Sequence, residues 1–407
     1  MSVRLNSKRT LLILGGVLTQ MTGILSGIVD IPFIQTGSWL PIVVACFFVI
    51  IEKGFSIQIP RYFWLLFVLL IWLIVGVMYS SAPSYAVWKT AMFGFFWIAL
   101  GLCLLRLGTV PGLVNSFFLG ILIGTVLSVP VLIVELGSPL AIIGETSRFY
   151  RLHLGEGNPI MFSQHLGIAV IINTGFVLTR KPFQWPYLLG SLLFSGLLLL
   201  YMLLTGSKGP FVALIFGIII LAWLFNFKRY LLILVSLLSL PMYYFVQKIS
   251  GEFLSHRYNL ADSGSVTSRI DIISDAISIS LTTDIGTFLF GAGTGNFGFF
   301  YSHADQRMYP HNIIAEILYE NGMVGAALLT IILVYPLISV FRFTRKNRGF
   351  TLSNTGQCLS ISTALYIFSV TNAQISGDIA TNFNIGIFGC IVLASVQLAR
   401  FQIKGQL

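Results

Sequence analysis

The sequence predicts an all-α polytopic membrane protein, and three observations carry that prediction. Of 407 residues, 56% are hydrophobic and only 9% are charged, whereas a soluble domain carries about 25% charged residues. Mean hydropathy is +0.89. Apolar runs long enough to cross a hydrocarbon core of about 30 Å recur along almost the whole chain. No internal repeat, low-complexity tract or soluble domain interrupts them, so residues 1–407 read as one transmembrane domain.

The elements follow in order. Arg4, Lys8 and Arg9 precede an apolar run that extends to Val29. This start superficially resembles a signal peptide, but its apolar part is too long and no small-x-small cleavage site follows, so a retained first span is expected. Twelve spans are expected in all, near 11–29, 36–51, 62–80, 84–105, 109–134, 159–179, 186–205, 209–227, 230–247, 312–341, 355–375 and 383–402. Twelve crossings return both termini to one side. On that side fall sixteen of the 24 basic residues, while Glu52 alone of the fourteen acids lies there. The positive-inside rule then makes the termini cytoplasmic. The substantial outer loops are residues 135–158 and 248–311, the second a long loop between spans nine and ten. In a bacterial inner membrane both would face the periplasm.

The net charge of +10 does not indicate nucleic acid, because the basic residues are scattered singly or in pairs between apolar runs. Cys46, Cys103, Cys358 and Cys390 all lie inside apolar runs without CxxC spacing, which excludes a disulfide framework or zinc site and leaves buried thiols. No Walker A sequence, DxD pair or HExxH occurs, so neither an ATP-driven pump nor a metal-dependent site is expected. A formal GxGxxG lies within Gly291–Gly298, but no βαβ unit surrounds it. A close turn at the membrane surface is the expectation there.

Polarity is concentrated on the outer side. The first outer loop holds Glu145, Arg148, Tyr150, Arg151, His153, Glu156 and Asn158. Between spans seven and eight sits the hairpin Thr205-Gly206-Ser207-Lys208-Gly209-Pro210. Pro210 suits the first turn of span eight, leaving Lys208 near free helix N–H groups that favour an anion. A lysine snorkelling from the turn satisfies the same pattern. Residues 265–280 read as a short amphipathic helix with Ile270, Ile273, Ala276 and Ile277 at helical spacing. Ser268 or Thr267 would cap it, with Arg269 in its first turn, where a cation opposes the helix dipole. An anionic ligand, or pairing with Asp271 or Asp275, would account for Arg269. Apolar clusters at 270–273 and 288–300 predict that the long loop packs down on the bundle.

That loop ends in Tyr309-Pro310-His311-Asn312 as an apolar run resumes. Positions 311, 315, 318, 322 and 325 share one helical face, and Ala315, Gly322 and Gly325 allow close packing into the bundle. A helix N-terminus disfavours imidazolium and should keep His311 neutral, as a general base requires; a histidine that merely caps the loop is the alternative. Glu316 and Glu320, further along the helix, would need partners.

His311-Asn312, nine residues and then Gly322-Met323-Val324-Gly325 resembles the H-[NSQ]-x9-G-x-x-G signature of bacterial O-antigen ligases. The spans, termini and long loop before the signature are similar too, over nearly the whole chain. The resemblance implies a GT-C-like membrane glycosyltransferase. It would transfer an undecaprenyl-diphosphate-linked glycan to a lipid A–core hydroxyl on the outer face of the bilayer, without metal, nucleotide or other cofactor. It implies that His311 is the base and that Arg269, in Ser268-Arg269, is the family's outer arginine. The Ser-Arg-Gly common before span eight is Ser207-Lys208-Gly209 here, so Lys208 keeps the charge without the bidentate fork. Lys208 and Arg269, with Arg148 or Arg151, would take up the charge of the leaving diphosphate, supported by Asn312, Gly322 and Gly325. Where ligases commonly carry Thr-Arg-Leu after the last glycine, this chain has Ala326-Ala327-Leu328. The choice between ligase and the related O-antigen polymerases or protein O-oligosaccharyltransferases stays open. A secondary transporter would instead place ionisable residues near mid-membrane and show internal repeats.

Overall fold

The structure, a computed structural model, describes residues 2–26, 37–53, 60–137, 158–179, 185–225, 264–347 and 353–405. Among the described residues there is no strand. Helices occupy eleven of the twelve expected spans, and the ninth, 230–247, lies outside the described residues. In chain order they are α1 (Ser2–Ile24), α2 (Leu40–Lys53), α3 (Arg61–Val77), α4 (Pro83–Gly108, with a π-helical turn at Gly94–Ala99), α5 (Leu113–Leu136), α6 (Pro159–Thr179), α7 (Trp185–Leu204) and α8 (Lys208–Leu224). Then come α9 (Gly264–Thr282), α10 (Ile285–Phe290), α11 (Asn296–Ser302), α12 (Ile313–Lys346), α13 (Asn354–Ala373) and α14 (Asn384–Ile403).

Six of these helices are long and apolar enough to cross a bilayer: α4, α5, α6, α7, α12 and α14. The helices α2, α3 and α8 are apolar but shorter. The chain therefore has the helices of a multi-pass membrane protein. With lipid tails as apolar as leucine, such helices associate through close packing rather than hydrophobic burial. The pair α1 and α5 shows this: a Cβ on Gly120 would stand 2.2 Å from Ile13 O, and one on Gly16 would stand 2.4 Å from Phe117 O. The helix α14 is packed against α4, α12 and α13, and α8 against α6 and α13. Near the chain start Lys8 pairs with Glu52, the single acid expected on that side.

The loop before α12 does pack down on the bundle. Ala276 of α9 and Phe297 of α11 are buried against Ala315 and Tyr319 of α12, with Ile272, Ile273 and Ile279 beside them. The apolar face of α9 differs from the expected one, since Ile270 and Ile277 are exposed. Its start differs too: the helix begins at Gly264, so Thr267 and Ser268 lie inside it rather than capping it, and Arg269 stands in its second turn.

The helix α12 is discontinuous. At Gly322 the backbone leaves helical space (φ 67°, ψ −171°), separating residues 313–321 from a longer segment that runs to Lys346. The shared face expected for positions 311 to 325 is therefore broken at Gly322. Ala315, Gly322 and Gly325 are all buried as expected, but Gly322 serves the backbone. A Cβ there would sit 2.3 Å from Leu289 O in a left-handed conformation, which only glycine adopts without strain.

Candidate functional site

His311 stands just outside the helix. Asn312 Oδ1 accepts hydrogen bonds from Ile314 N (3.0 Å) and Ala315 N (2.9 Å), so Asn312 is the N-cap of α12. Its Nδ2 donates to Gln374 O at 3.2 Å, tying the start of α12 to the turn after α13. His311 itself has φ 61°, a left-handed backbone that side chains seldom adopt outside constrained sites. Its ring meets that of Tyr309 edge-on at 4.8 Å between centroids. His311 Nδ1 is buried with no hydrogen-bond partner among the described residues. Buried polar atoms are almost always satisfied, so such an atom calls for an explanation. Burial, and then the Arg269 guanidinium, push the imidazole down to about 4. Burial and the neighbouring guanidinium thus favour the neutral imidazole at pH 7.

The turn after α13 is where the expected residues meet. Arg269 Nη1 donates to Ile375 O at 3.2 Å. Gly209, next to Lys208, packs on the same turn: its Cβ position is 3.2 Å from Ile375 Cγ2 and 3.7 Å from Asn372 Oδ1. Lys208 is the first residue of α8, with Pro210 in the first turn. Ser207 precedes the helix but does not cap it, because its hydroxyl turns to Pro159 O (3.3 Å). Arg269, together with Gly209 next to Lys208 and Asn312 next to His311, therefore meets the turn at residues 372–376. Of the acids considered for Arg269, Asp275 accepts a hydrogen bond from Tyr301 Oη at 2.8 Å. Asn372, 2% exposed with no partner for Oδ1 among the described residues, belongs to the same cluster and was not anticipated. Arg148 and Arg151 lie outside the described residues.

Behind this cluster lies an ionic network. Lys89 of α4 is fully buried and pairs with Glu316 and with Glu320, the latter at 2.7 and 2.8 Å. The second oxygen of Glu316 accepts from Ile379 N at 3.0 Å, and that of Glu320 from Gly295 N at 2.8 Å. Buried charges survive only when paired and hydrogen-bonded in this way. Beside them, Asp378 accepts from Arg307 Nε (3.0 Å) and Tyr85 Oη (2.5 Å). Burial pushes the Asp378 carboxyl up, but Arg307, Lys89 and the Thr381 and Tyr85 hydroxyls outweigh it and hold it below the usual carboxylate range. The need of Glu316 and Glu320 for partners was legible. A lone lysine in an apolar run was the available signal for Lys89, and it was missed. Glu320 lies seven residues into α12, about 10 Å below its start. The charge therefore reaches deeper than the outer rim where it was expected.

The glycine-rich turn explains the break in α12. Ala292 N donates to Tyr319 O and Gly293 N to Glu320 O, both at 2.9 Å, and Trp72 Nε1 donates to Asn321 O at 2.9 Å. These are carbonyls that an unbroken helix would satisfy itself. The turn thus plugs into the bundle. It holds the short segment that carries Asn312 at its head and Glu316 and Glu320 along its length.

No curated protein matches the chain. A family model described as O-antigen ligase matches residues 193–330, from within α7 into α12. That stretch contains Lys208, Arg269, His311, Asn312, Gly322 and Gly325, and its match supports for this chain the O-antigen ligase family that the His311 signature resembles.

Proposed function

We propose that the protein is an O-antigen ligase, a glycosyltransferase of the inner membrane with cytoplasmic termini and a periplasm-facing site. It would transfer an undecaprenyl-diphosphate-linked O-antigen to a lipid A–core sugar hydroxyl. The observation that carries this reading is a neutral histidine held beside an arginine at one end of an apolar helical bundle. In the step, the acceptor oxygen attacks the anomeric carbon while the bond from that carbon to the diphosphate oxygen breaks. Attack opposite the leaving group inverts the centre. The acceptor proton passes to His311 as its oxygen forms the new bond. The diphosphate leaves as an anion, and Arg269 and Lys208, with Arg148 or Arg151, take up its charge without a metal.

A base held near 4 is weak for this task. The bound diphosphate corrects that, because its negative charge offsets Arg269, one of the two causes of the low value, and favours imidazolium. His311 thus gains proton affinity when the donor is in place. Asn312, Gly322 and Gly325 support the geometry by capping, breaking and packing α12.

Polymerases use the same donor chemistry, and Ala326-Ala327-Leu328 in place of the usual ligase triplet favours considering them. Gene deletion separates the two. Accumulation of long lipid-linked polymer with unmodified core supports the ligase, whereas loss of chains beyond one repeat supports the polymerase.

A further inference from the structure

A cavity of about 240 Å³ opens at the other end of α13, about 30 Å from the His311 cluster along a 20-residue helix. Arg9, Asn115, Asn354, Thr355, Ser395 and Gln402 supply its polar groups, and no acid lines it. Two helices begin at its wall. The N-cap of α5 is Gly112, which offers no side-chain cap, and Arg9 Nη2 lies 3.3 Å from where a Gly112 Cβ would be. The helix α13 begins with Asn354 and Thr355, and the hydroxyl of its cap, Ser353, accepts from Gly356 N at 3.0 Å. Helix N-termini present free N–H groups and partial positive charge to an anion. An independent sign of a ligand is Ser395: its side chain lines the cavity, it is 1% exposed, and its hydroxyl has no hydrogen-bond partner among the described residues. Asn115 Oδ1 accepts from Cys358 Sγ at 2.7 Å, which leaves its amide nitrogen as a further donor.

We propose that this cavity binds a phosphate group, with Arg9 as counter-ion, the starts of α5 and α13 as backbone donors and the Ser395 hydroxyl completing the shell. The volume lies below the roughly 300–1,000 Å³ of drug-sized pockets, so the ligand is a small phosphate or a phospholipid headgroup rather than a nucleotide. Its place at the end of a membrane bundle and its basic mouth suit either source.

The full-length protein tests this in two arms. In detergent, inorganic phosphate is titrated against thermal unfolding, with chloride at matched ionic strength as control. In nanodiscs, native mass spectrometry compares retention of phosphatidylglycerol with phosphatidylcholine. Saturable stabilisation by phosphate assigns a soluble anion; selective retention of phosphatidylglycerol without a phosphate response assigns a headgroup. In either case Arg9→Gln weakens binding about tenfold or more, the worth of one charge-assisted hydrogen bond. Ser395→Ala weakens it as well, yet does not lower stability in the absence of phosphate, because it removes a buried hydroxyl that has no partner. Binding by both variants at the wild-type level, or no preference for either phosphate probe, overturns the proposal.

Discussion

Replacing Lys89 with methionine removes the one cation between two fully buried carboxylates while keeping the volume of the side chain. An ion pair that loses one partner in a buried setting costs about 3–5 kcal/mol, since the remaining charge has neither water nor counter-ion. Here two carboxylates are stranded, and each also receives a backbone N–H, from Ile379 and from Gly295. The loss therefore falls on α4, on the glycine-rich turn, on the turn after α13 and on the first segment of α12. The assay is the apparent melting temperature in detergent at a fixed scan rate, because membrane proteins unfold irreversibly. Lys89→Met should melt far below wild type and lose transfer. The triple variant with Glu316→Gln and Glu320→Gln, which removes all three charges, should recover most of the stability. A Lys89→Met melting point within about 1 °C of wild type, roughly the shift that one kcal/mol produces in a chain of this size, would refute the assigned network.

Further outcomes follow from the same geometry. His311→Asn keeps a residue that tolerates the left-handed backbone, so the protein should accumulate and melt like wild type while transfer is lost. The acid limb of kcat/KM should follow His311 in the free enzyme, with activity falling as pH drops towards about 4 and the base takes up a proton. Removing the Arg269 charge in Arg269→Gln takes away one cause of the low value, so the limb should move to higher pH while overall activity falls. Gly322→Ala, which would force a Cβ to 2.3 Å from Leu289 O at positive φ, should destabilise the protein severely, whereas Gly190→Ala, with open space around its Cβ, should leave melting unchanged. Chelators should not reduce transfer, and a strict divalent-ion requirement would contradict the cation assignment.

Much of the architecture was legible because hydropathy alone specifies helices in lipid, where every backbone group must be satisfied internally. The same rule hid the break at Gly322. Residues 312–341 read as one apolar span, and the donors that make the interruption tolerable come from the turn at Gly291–Gly295, some thirty residues earlier, and from Trp72, about 250 residues earlier. Lys89 escaped for a related reason: its partners lie 227 and 231 residues away, beyond the reach of any local pattern. His311, Arg269 and Lys208 were found because each sits at a loop-to-helix boundary or carries a charge that local structure does not use. The meeting of Arg269, Gly209 and Asn312 at the turn around Ile375 was not legible, since nothing near residues 372–376 marks that turn as a meeting point.

The central claim is that His311 accepts the acceptor's proton beside Arg269 during transfer of a lipid-linked glycan. It is tested most directly by incubating purified protein with undecaprenyl-diphosphate glycan and a defined lipid A–core acceptor, comparing wild type with His311→Asn. The account predicts metal-free formation of the joined product by wild type and none by a folded His311→Asn protein. Transfer by that variant at the wild-type rate would contradict it.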